Sequence, residues 1–276
     1  MMHCRTDRVS LLRLNSPLLP PWFARNRATI GYNMSVFGDT DTGRTRANNE
    51  DAWWCDDTLG IYLLADGMGG HEAGEEASAI VIHSLRNELT KRAFFPLIGD
   101  LKKLLMSAIH QANSAVLDAV QQHPEWNGMG STVVAAIRSR RRLHLANIGD
   151  SRGYLWRHGV LRQLSKDHSV AARLVEEGLL RPDELRDSDM RNRLTAVVGQ
   201  PKCALPAYCA LELCAGDIVL LCSDGLWDMV PDDAIALLLG EHPQPQDAVR
   251  ALIAAANHAG GKDNITAVVL TVGDGK

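Results

Sequence analysis

Short apolar runs separated by polar turns make up most of the chain after residue 33. Their length and their content of Val, Ile and Leu predict β-strands. The predicted strands cover residues 61–65, 131–137, 142–148, 152–157, 217–222 and 265–272. Several of these runs are apolar at successive positions, which indicates strands that are covered on both faces.

Two long stretches between the first two predicted strands have a helical pattern instead. Apolar residues recur at spacings of three and four over residues 72–92 and over roughly 97–122. Shorter helices are predicted near 168–177, 232–239 and 246–258. Strands flanked by helix pairs predict sheets covered by helices. The periodicity does not distinguish a sandwich of two sheets from one open sheet.

Residues 1–33 differ from the remainder in both pattern and charge. They contain five arginines against one acid, and their apolar run is interrupted by Arg13, Asn15 and three prolines. A secretory signal needs an uninterrupted apolar segment, so a poorly ordered tail is favoured and a targeting arm is the alternative. We therefore predict a tail over 1–33 and a single domain over 34–276, with Met1 or Met34 as the start.

Composition narrows the function classes. The 276 residues are 46% hydrophobic and 22% charged, as in ordinary globular proteins, and the formal net charge is −4. No general basic surface is expected, which argues against nucleic-acid binding. No apolar run approaches the ~20 residues of a membrane helix. The six cysteines form no CxxC pair, so buried free thiols and a cytoplasmic location are predicted.

Acidic residues flank the apolar runs where strands are predicted to begin or end. These residues are Glu50, Asp51, Asp66, Asp150, Asp224 and Asp263. One Asp beside a strand is usually turn chemistry. Because binding sites often gather on loops at the ends of a rigid scaffold, several such positions predict a shared site.

Clustered carboxylates repel one another, by about 4 kcal/mol for two charges ~4 Å apart at an effective dielectric of ~20. Either their pKa values rise or cations lie between them. A set of oxygen ligands without His or Cys suits Mg²⁺ or Mn²⁺. Gly67 follows Asp66 and fits such a site, since the missing side chain lets its carbonyl approach an ion.

Eight blocks carry the chain's glycine-rich and acidic motifs. They are RANNED (46–51), LLADGMGGHEAGEEAS (63–78), GMGSTVVAA (128–136), ANIGDSRGYL (146–155), KDHS (166–169), RLTAVVG (193–199), LLCSDGLWD (220–228) and KDNITAVV (262–269). Their order and spacing across nearly all of 34–273 resemble the metal-dependent protein phosphatase family (PPM, or type 2C), in its bacterial branch. The resemblance implies an α+β fold with a central β-sandwich of two antiparallel sheets, flanked by helix pairs in α-β-β-α layers.

The resemblance also implies a binuclear metal centre with two core ions, Mn²⁺ or Mg²⁺. Asp66 resembles the acid that bridges both ions, and the Gly67 carbonyl resembles a ligand of the second ion. Asp224 and Asp263 resemble ligands of the first. A water held between the two ions would attack phosphorus directly, without a phosphoenzyme.

Further positions match groups around that centre. Glu50 and Asp51 resemble ligands or groups that act through water, and Asp150 resembles a ligand of a third, weaker ion that it shares with Asp224. Arg46 resembles the arginine that holds the substrate phosphate, a role suited to a planar guanidinium. Arg46, Asp66 and Asp224 are thus the predicted catalytic residues.

One position departs from the family pattern. Some members have His where Met68 stands, and that His is proposed as the general acid. Met cannot donate a proton, so a metal-bound water or His71 is expected to act as the general acid. The alternative for His71 is a surface residue at the start of a helix, without a part in catalysis. The charged segment 168–198 lies where the family has a mobile flap. A flap that faces the substrate is one interpretation, and a solvated helix and loop is the other.

The predicted function is hydrolysis of phosphoserine and phosphothreonine in phosphoproteins by a monomer that opposes a bacterial Ser/Thr kinase. One alternative is a catalytically inactive binding module on the same fold. Another is a phosphatase for a single regulatory phosphoprotein, as in bacterial stress switches. A Ca²⁺-binding protein is disfavoured, because the chain has no D-x-D-x-D-G loop. No nucleic-acid or membrane partner is predicted.

Overall fold

The computed structural model describes residues 34–69, 73–94, 100–186 and 188–273, with backbone only over 92–94. Its strands are β1 (Met34–Asp41), β2 (Asp51–Asp56), β3 (Ile61–Met68), β4 (Gly130–Ser131), β5 (Val133–Ser139), β6 (Arg142–Ile148), β7 (Arg152–Arg157), β8 (Val160–Gln163), β9 (Ala207–Glu212), β10 (Ile218–Cys222) and β11 (Ile265–Val272). Its helices are α1 (Ala73–Phe94), α2 (Leu101–Gln122), α3 (Val170–Glu176), α4 (Asp224–Trp227), α5 (Asp232–Glu241) and α6 (Pro245–His258). The tail predicted over 1–33 and the candidate His71 lie outside the described residues.

The strands form two antiparallel sheets. The first has the order β1-β11-β10-β7-β8, and the second has the order β2-β3-β5-β6-β9 with the short β4 paired to β3. In the first sheet, β11 pairs with the edge strand β1 on one side and with β10 on the other. The N-terminal strand therefore joins the C-terminal strand in one sheet, which brings the loops that follow β1 and precede β11 together.

Alternate side chains of the central strands face different apolar cores. In β3, Leu63 packs into a core shared with α1 and α2, whereas Leu64 packs into the core between the two sheets. In β10, Leu220 faces the core under α5 and α6, whereas Leu221 faces the inter-sheet core. Burial on both faces explains why these strands are apolar throughout. The predicted α-β-β-α sandwich is confirmed, and the open-sheet alternative is excluded.

The cysteine prediction is only partly correct. The described cysteines are free thiols, but of these only Cys222 is fully buried, while Cys55, Cys203, Cys209 and Cys214 are half-buried. Cys4 lies outside the described residues. Among the described helices, none has the length and hydrophobicity needed to cross a bilayer.

Candidate metal centre

Asp51 and Asp66 lie directly opposite each other on neighbouring strands. The register of β2 and β3 pairs these two residues. Because β3 continues to Met68, Asp66 lies inside the strand and not at its end, where the sequence pattern placed it. Like charges directly opposite each other destabilise an antiparallel pair. The sheet thus holds two carboxylates together at an energetic cost.

One oxygen of Asp51 is anchored and the other is not. Its Oδ2 accepts hydrogen bonds from Ser223 Oγ at 2.7 Å and Thr266 Oγ1 at 2.6 Å. Its Oδ1 is buried without a hydrogen-bond partner in the described part of the chain. Burial raises the pKa of Asp51 to about 6, even though the two hydroxyls oppose the shift and stabilise the charged form. The carboxylate is held in place with one oxygen free to bind.

Asp66 and Asp224 have the most perturbed carboxyl groups. Burial raises both pKa values well above their usual range, and neighbouring carboxylates raise them further. For Asp66 these neighbours are, in order, Asp51, Asp224, Asp150 and Asp263. For Asp224 they are, in order, Asp150, Asp263, Asp51 and Asp228.

The backbone around Gly67 leaves no room for a side chain. Asp66 N donates to Thr132 Oγ1 at 3.0 Å, and Gly67 N donates to the Glu50 carbonyl at 3.0 Å. A Cβ at Gly67 would lie 1.9 Å from the Gly74 carbonyl oxygen. Glycine is therefore required here by the close approach of α1, a reason that the sequence did not reveal. The role of its carbonyl as a ligand remains a prediction.

Arg46 contacts a predicted metal ligand. Its Nη2 donates to Asp263 Oδ2 at 2.7 Å, and the two side chains are 48% and 34% exposed. The pair lies at the solvent-facing rim of the acidic group. Asp263 thus orients the guanidinium of Arg46 at this rim.

Asn264 holds the loop that carries Glu50. Its Nδ2 donates to the carbonyls of Thr42 and Asn48 at 3.0 and 2.9 Å, and its Oδ1 accepts from Glu50 N at 2.8 Å. The loop between β1 and β2 is therefore fastened to the residue that follows Asp263. This arrangement fixes the backbone of two predicted ligand positions relative to each other.

Asp150 is buried in the connection between β6 of the second sheet and β7 of the first. The residue is only 4% exposed, and its backbone carbonyl accepts a hydrogen bond from Trp227 Nε1 at 3.0 Å. Burial raises the pKa of Asp150 to about 7, and the nearby Asp167 carboxylate adds to the shift. Asp150 also contributes to the raised pKa of Asp224, in keeping with the predicted shared site.

The segment 168–198 attaches to the turn beside Asp224. Arg191 Nε donates to Asp228 Oδ1 at 2.8 Å, and Arg186 Nη2 donates to Asp232 Oδ1 at 2.7 Å. α3 is the only α-helix of the described residues in this segment. Both the flap and the solvated-segment interpretations fit these surface ion pairs.

Sequence reasoning missed the neutral residues that position the acids. These are Thr132, Ser223, Trp227, Asn264 and Thr266. Ser223 and Asn264 directly adjoin Asp224 and Asp263 in the sequence, so a hydrogen-bonding side chain beside a predicted ligand was the available signal. Thr132 and Thr266 carried no such signal, because only sheet register brings them to the acids.

The donor set fits hard divalent cations by its chemistry. Among the described residues, no three His, Cys, Asp or Glu side chains stand close enough to form a complete ligand cage. The same carboxylates nevertheless raise one another's pKa, and Asp51 Oδ1 is a buried acceptor without a donor. Modest side-chain movement would complete a ligand set, whereas several partly buried carboxylates without counter-charge require a cation or protons. Carboxylate oxygens are the ligands that Mg²⁺ and Mn²⁺ prefer.

The chain resembles characterised phosphatases over most of its length. The profile of the protein phosphatase 2C family matches residues 40–176. The serine/threonine protein phosphatase PstP of Mycobacterium tuberculosis is 41% identical over 85% of this chain, which spans only 44% of that relative. The serine/threonine phosphatase stp of Listeria monocytogenes is 33% identical over 84% of this chain and 93% of its own length.

A solved structure supports the same relationship. The catalytic domain of PstP in complex with two manganese ions superposes with a TM-score of 0.78 and 38% identity, covering 87% of this chain and 99% of that one. The fold, the ordered acidic motifs and these relatives agree. This chain belongs to the protein phosphatase 2C family.

Proposed function

We propose that this protein removes phosphate from phosphoserine and phosphothreonine side chains of other proteins. The observation that carries the proposal is the carboxylate cluster, defined as Asp51, Asp66 and Asp224, in which Asp51 and Asp66 are paired across two strands. Burial and neighbouring carboxylates raise the pKa values of all three. Acids that perturb one another in this way mark a functional site more often than a structural one. Family membership supports the phosphatase reaction, and the two relatives, both serine/threonine phosphatases, support Ser/Thr specificity.

We propose two core Mn²⁺ or Mg²⁺ ions as cofactors, and a third, weaker ion. The residues that would hold them are Glu50, Asp51, Asp66, Gly67, Asp150, Asp224 and Asp263. Bound divalent cations supply Lewis-acid chemistry, since they favour loss of a proton from water and stabilise charge that develops on phosphoryl oxygens. The manganese-bound structure of PstP supports the choice of metal and the number of core ions.

The candidate site residues have distinct parts in this proposal. Asp51 and Asp66 concentrate negative charge where the two strands face each other. Arg46 binds phosphate oxygens with its planar guanidinium, which the 2.7 Å contact with Asp263 orients toward the rim. Residue 68 is a methionine that is 41% exposed and cannot donate a proton, so the leaving-group acid must come from elsewhere. His71 remains a proposal for that role or for substrate binding.

The proposal extends to the domain bounds, the substrates, the oligomeric state and the location of the enzyme. Residues 34–276 would form the catalytic domain, with 1–33 dispensable for activity. The substrates would be phosphoproteins modified by a Ser/Thr kinase, and the enzyme would act as a cytoplasmic monomer. The free thiols of the described cysteines support a reducing compartment.

A direct assay tests the proposed function. The purified chain is incubated with Mn²⁺ and either a phosphothreonine peptide or a small aryl phosphate, and phosphate release is measured. We expect turnover of both substrates, which is lost in Asp66→Asn and kept in Asp118→Asn, a matched change of an exposed carboxylate on α2. A folded chain that binds Mn²⁺ but releases no phosphate from either substrate would favour the inactive binding module instead.

A further inference from the structure

A cavity of about 570 Å³ lies beside the loop that carries Arg46, outside the carboxylate cluster. It lies between the edge strand β1 and helix α6. Its polar lining consists of Asp39, Asp41, Arg44, Arg250, Asn257 and His258. None of these residues has a part in the chemistry proposed above.

Helical and strand spacing explain why these side chains share one cavity. Arg250, Asn257 and His258 stand at i, i+7 and i+8 on α6, which places them on one face of the helix. Asp39 and Asp41 alternate with Thr40 on β1, so both face the same side of the sheet as α6. The cavity is therefore a product of the fold and not of one mobile loop.

The two acids and the two arginines of the cavity differ in their pairing. Asp41 Oδ1 accepts from Gly43 N at 2.8 Å and Asn257 Nδ2 at 3.1 Å, and Asp39 Oδ1 accepts from Thr40 N at 2.9 Å. The exposed guanidinium groups of Arg44 and Arg250 make no hydrogen bond or ion pair within the described ranges. The guanidinium donors of both arginines are thus available to a ligand, and the acceptors left beside them include Asn257 Oδ1, which is buried without a hydrogen-bond partner in the described part of the chain.

The cavity is coupled to the proposed active site through the backbone. Arg44 N donates to the Gly261 carbonyl at 2.7 Å, in the loop that leads to Asp263. Arg44 precedes Arg46 by two residues, so their Cα atoms are at most about 7 Å apart, at ~3.5 Å per residue. A peptide whose phosphorylated side chain lies at Arg46 therefore needs only a few residues to reach Arg44 and Arg250.

We propose that this cavity binds an acidic side chain, Asp or Glu, a few residues from the phosphorylated residue of the substrate protein. The inference rests on the phosphatase function proposed above and makes Arg250 and Arg44 determinants of substrate choice. Guanidinium groups match the fork of a carboxylate, and their free donors supply the complementary charge. Asp39 limits the affinity by repulsion, because its exposed carboxylate lines the same cavity.

Phosphothreonine peptides test this proposal. One series has alanine at every position, and in the others a single glutamate is moved through each position on either side of the phosphothreonine. We expect wild type to show about tenfold higher kcat/KM when the glutamate occupies one particular position, which corresponds to one decade in affinity. Added salt should reduce this preference, since exposed charges are screened.

Three variants locate the effect. Arg250→Ala should abolish the preference for glutamate while leaving turnover of the alanine peptide and of a small aryl phosphate unchanged. Arg162→Ala, which removes an exposed arginine at the other edge of the same sheet, should keep the preference. Asp39→Asn retains the acceptor for Thr40 N but removes a repelling charge, so it should increase the preference.

The outcomes separate this inference from the function on which it rests. A wild-type enzyme that turns over both kinds of substrate without any preference for glutamate overturns the inference alone. A preference that survives in Arg250→Ala also overturns it. A chain that turns over neither the aryl phosphate nor any peptide overturns the proposed function, and the inference with it.

Discussion

Two groups of poorly solvated charged side chains lie on either side of Asp150, and they are neutralised in opposite ways. In the first, the carboxylate cluster, no cation of the chain pairs with Asp51, Asp66 or Asp224 in the described residues. In the second, Arg152 and Asp167 form an ion pair with both residues less than 10% exposed. The cluster residues are partly buried and the ion pair is buried, but only the ion pair supplies its own counter-charge.

The Arg152–Asp167 pair is satisfied on every side. Arg152 Nη2 donates to Asp167 Oδ2 at 2.7 Å, and Gln163 Nε2 donates to Asp167 Oδ1 at 2.7 Å. Arg152 Nη1 donates to Tyr154 Oη at 2.8 Å, and the guanidinium lies 3.6 Å from the centroid of the Trp227 ring. Such pairing is what a buried structural charge requires. The carboxylate cluster lacks it, so the comparison separates a structural ion pair from a site that binds cations.

The two groups are joined through Asp150. The ring that stacks on Arg152 belongs to Trp227, whose Nε1 donates to the Asp150 carbonyl at 3.0 Å. Trp227 ends the short helix α4, which begins at Asp224. The ion pair therefore supports the backbone at the boundary of the proposed metal centre. Mutation of the cluster should therefore change metal binding and turnover, whereas mutation of the ion pair should change the free energy of unfolding.

The largest expected effect comes from Asp66→Asn. Asparagine keeps the size of the side chain but removes the charge, so core ions should bind poorly and Lewis-acid stabilisation worth several kcal/mol should be lost. We expect kcat to fall at least about a thousandfold, at ~1.36 kcal/mol per decade. Initial rates with an aryl phosphate at saturating Mn²⁺ measure this loss. Without metal, the variant should unfold at the same temperature as wild type or higher, because a repulsion is removed.

Arg152→Met should affect stability instead of chemistry. It leaves Asp167 buried without its counter-charge, and breaking a buried pair costs about 3–5 kcal/mol. Urea unfolding monitored by circular dichroism measures the free energy of unfolding. The double variant Arg152→Met, Asp167→Leu removes both charges and should recover much of the loss. If the double variant is as unstable as the single one, the loss does not come from a buried charge left without its partner, and the pair is not a structural ion pair in the sense argued above.

Asp150→Asn should give a smaller and more selective effect. Two Mn²⁺ ions should still bind tightly, while the weaker third ion is lost and activity on a phosphoprotein falls about tenfold, or one decade of transition-state stabilisation. Titration calorimetry together with turnover of a phosphoprotein measures both changes. If this variant loses all metal binding, the roles of Asp150 and Asp66 have been exchanged.

Arg46→Ala has the smallest expected effect of these variants. The lost contact is with the phosphate in the ground state as well as in the transition state, so KM should rise roughly fivefold with a smaller fall in kcat. Steady-state kinetics with a phosphopeptide and an aryl phosphate give both constants. An unchanged KM for both substrates would remove Arg46 from the substrate site.

The fold was predictable where strands are covered on both faces. β6, β7 and β11 were placed with the observed bounds, because each has a short run of apolar residues bounded by polar turns. The four edge strands, β1, β2, β8 and β9, were missed, since they are only partly buried. Edge strands carry a weaker hydrophobic pattern, so sequence reasoning has little to detect.

The candidate site was predictable in its acids but not in their environment. The positions of Asp66 and Asp224 beside apolar runs indicated a shared cluster. The hydroxyl groups that hold Asp51 come from Ser223 and Thr266, more than 170 positions along the chain. Such contacts are set by the pairing of distant strands, which local patterns do not encode. The same holds for the contact between Trp227 and Asp150.

Titration calorimetry with Mn²⁺ on wild type and Asp66→Asn tests the central claim most directly, namely that the carboxylate cluster binds cations. Asp118→Asn serves as the matched control, because it removes one exposed carboxylate on α2 and leaves the cluster carboxylates in place. We predict two tight sites in wild type and in the control, and neither of them in Asp66→Asn. Two tight sites in Asp66→Asn, with normal turnover, would contradict the account.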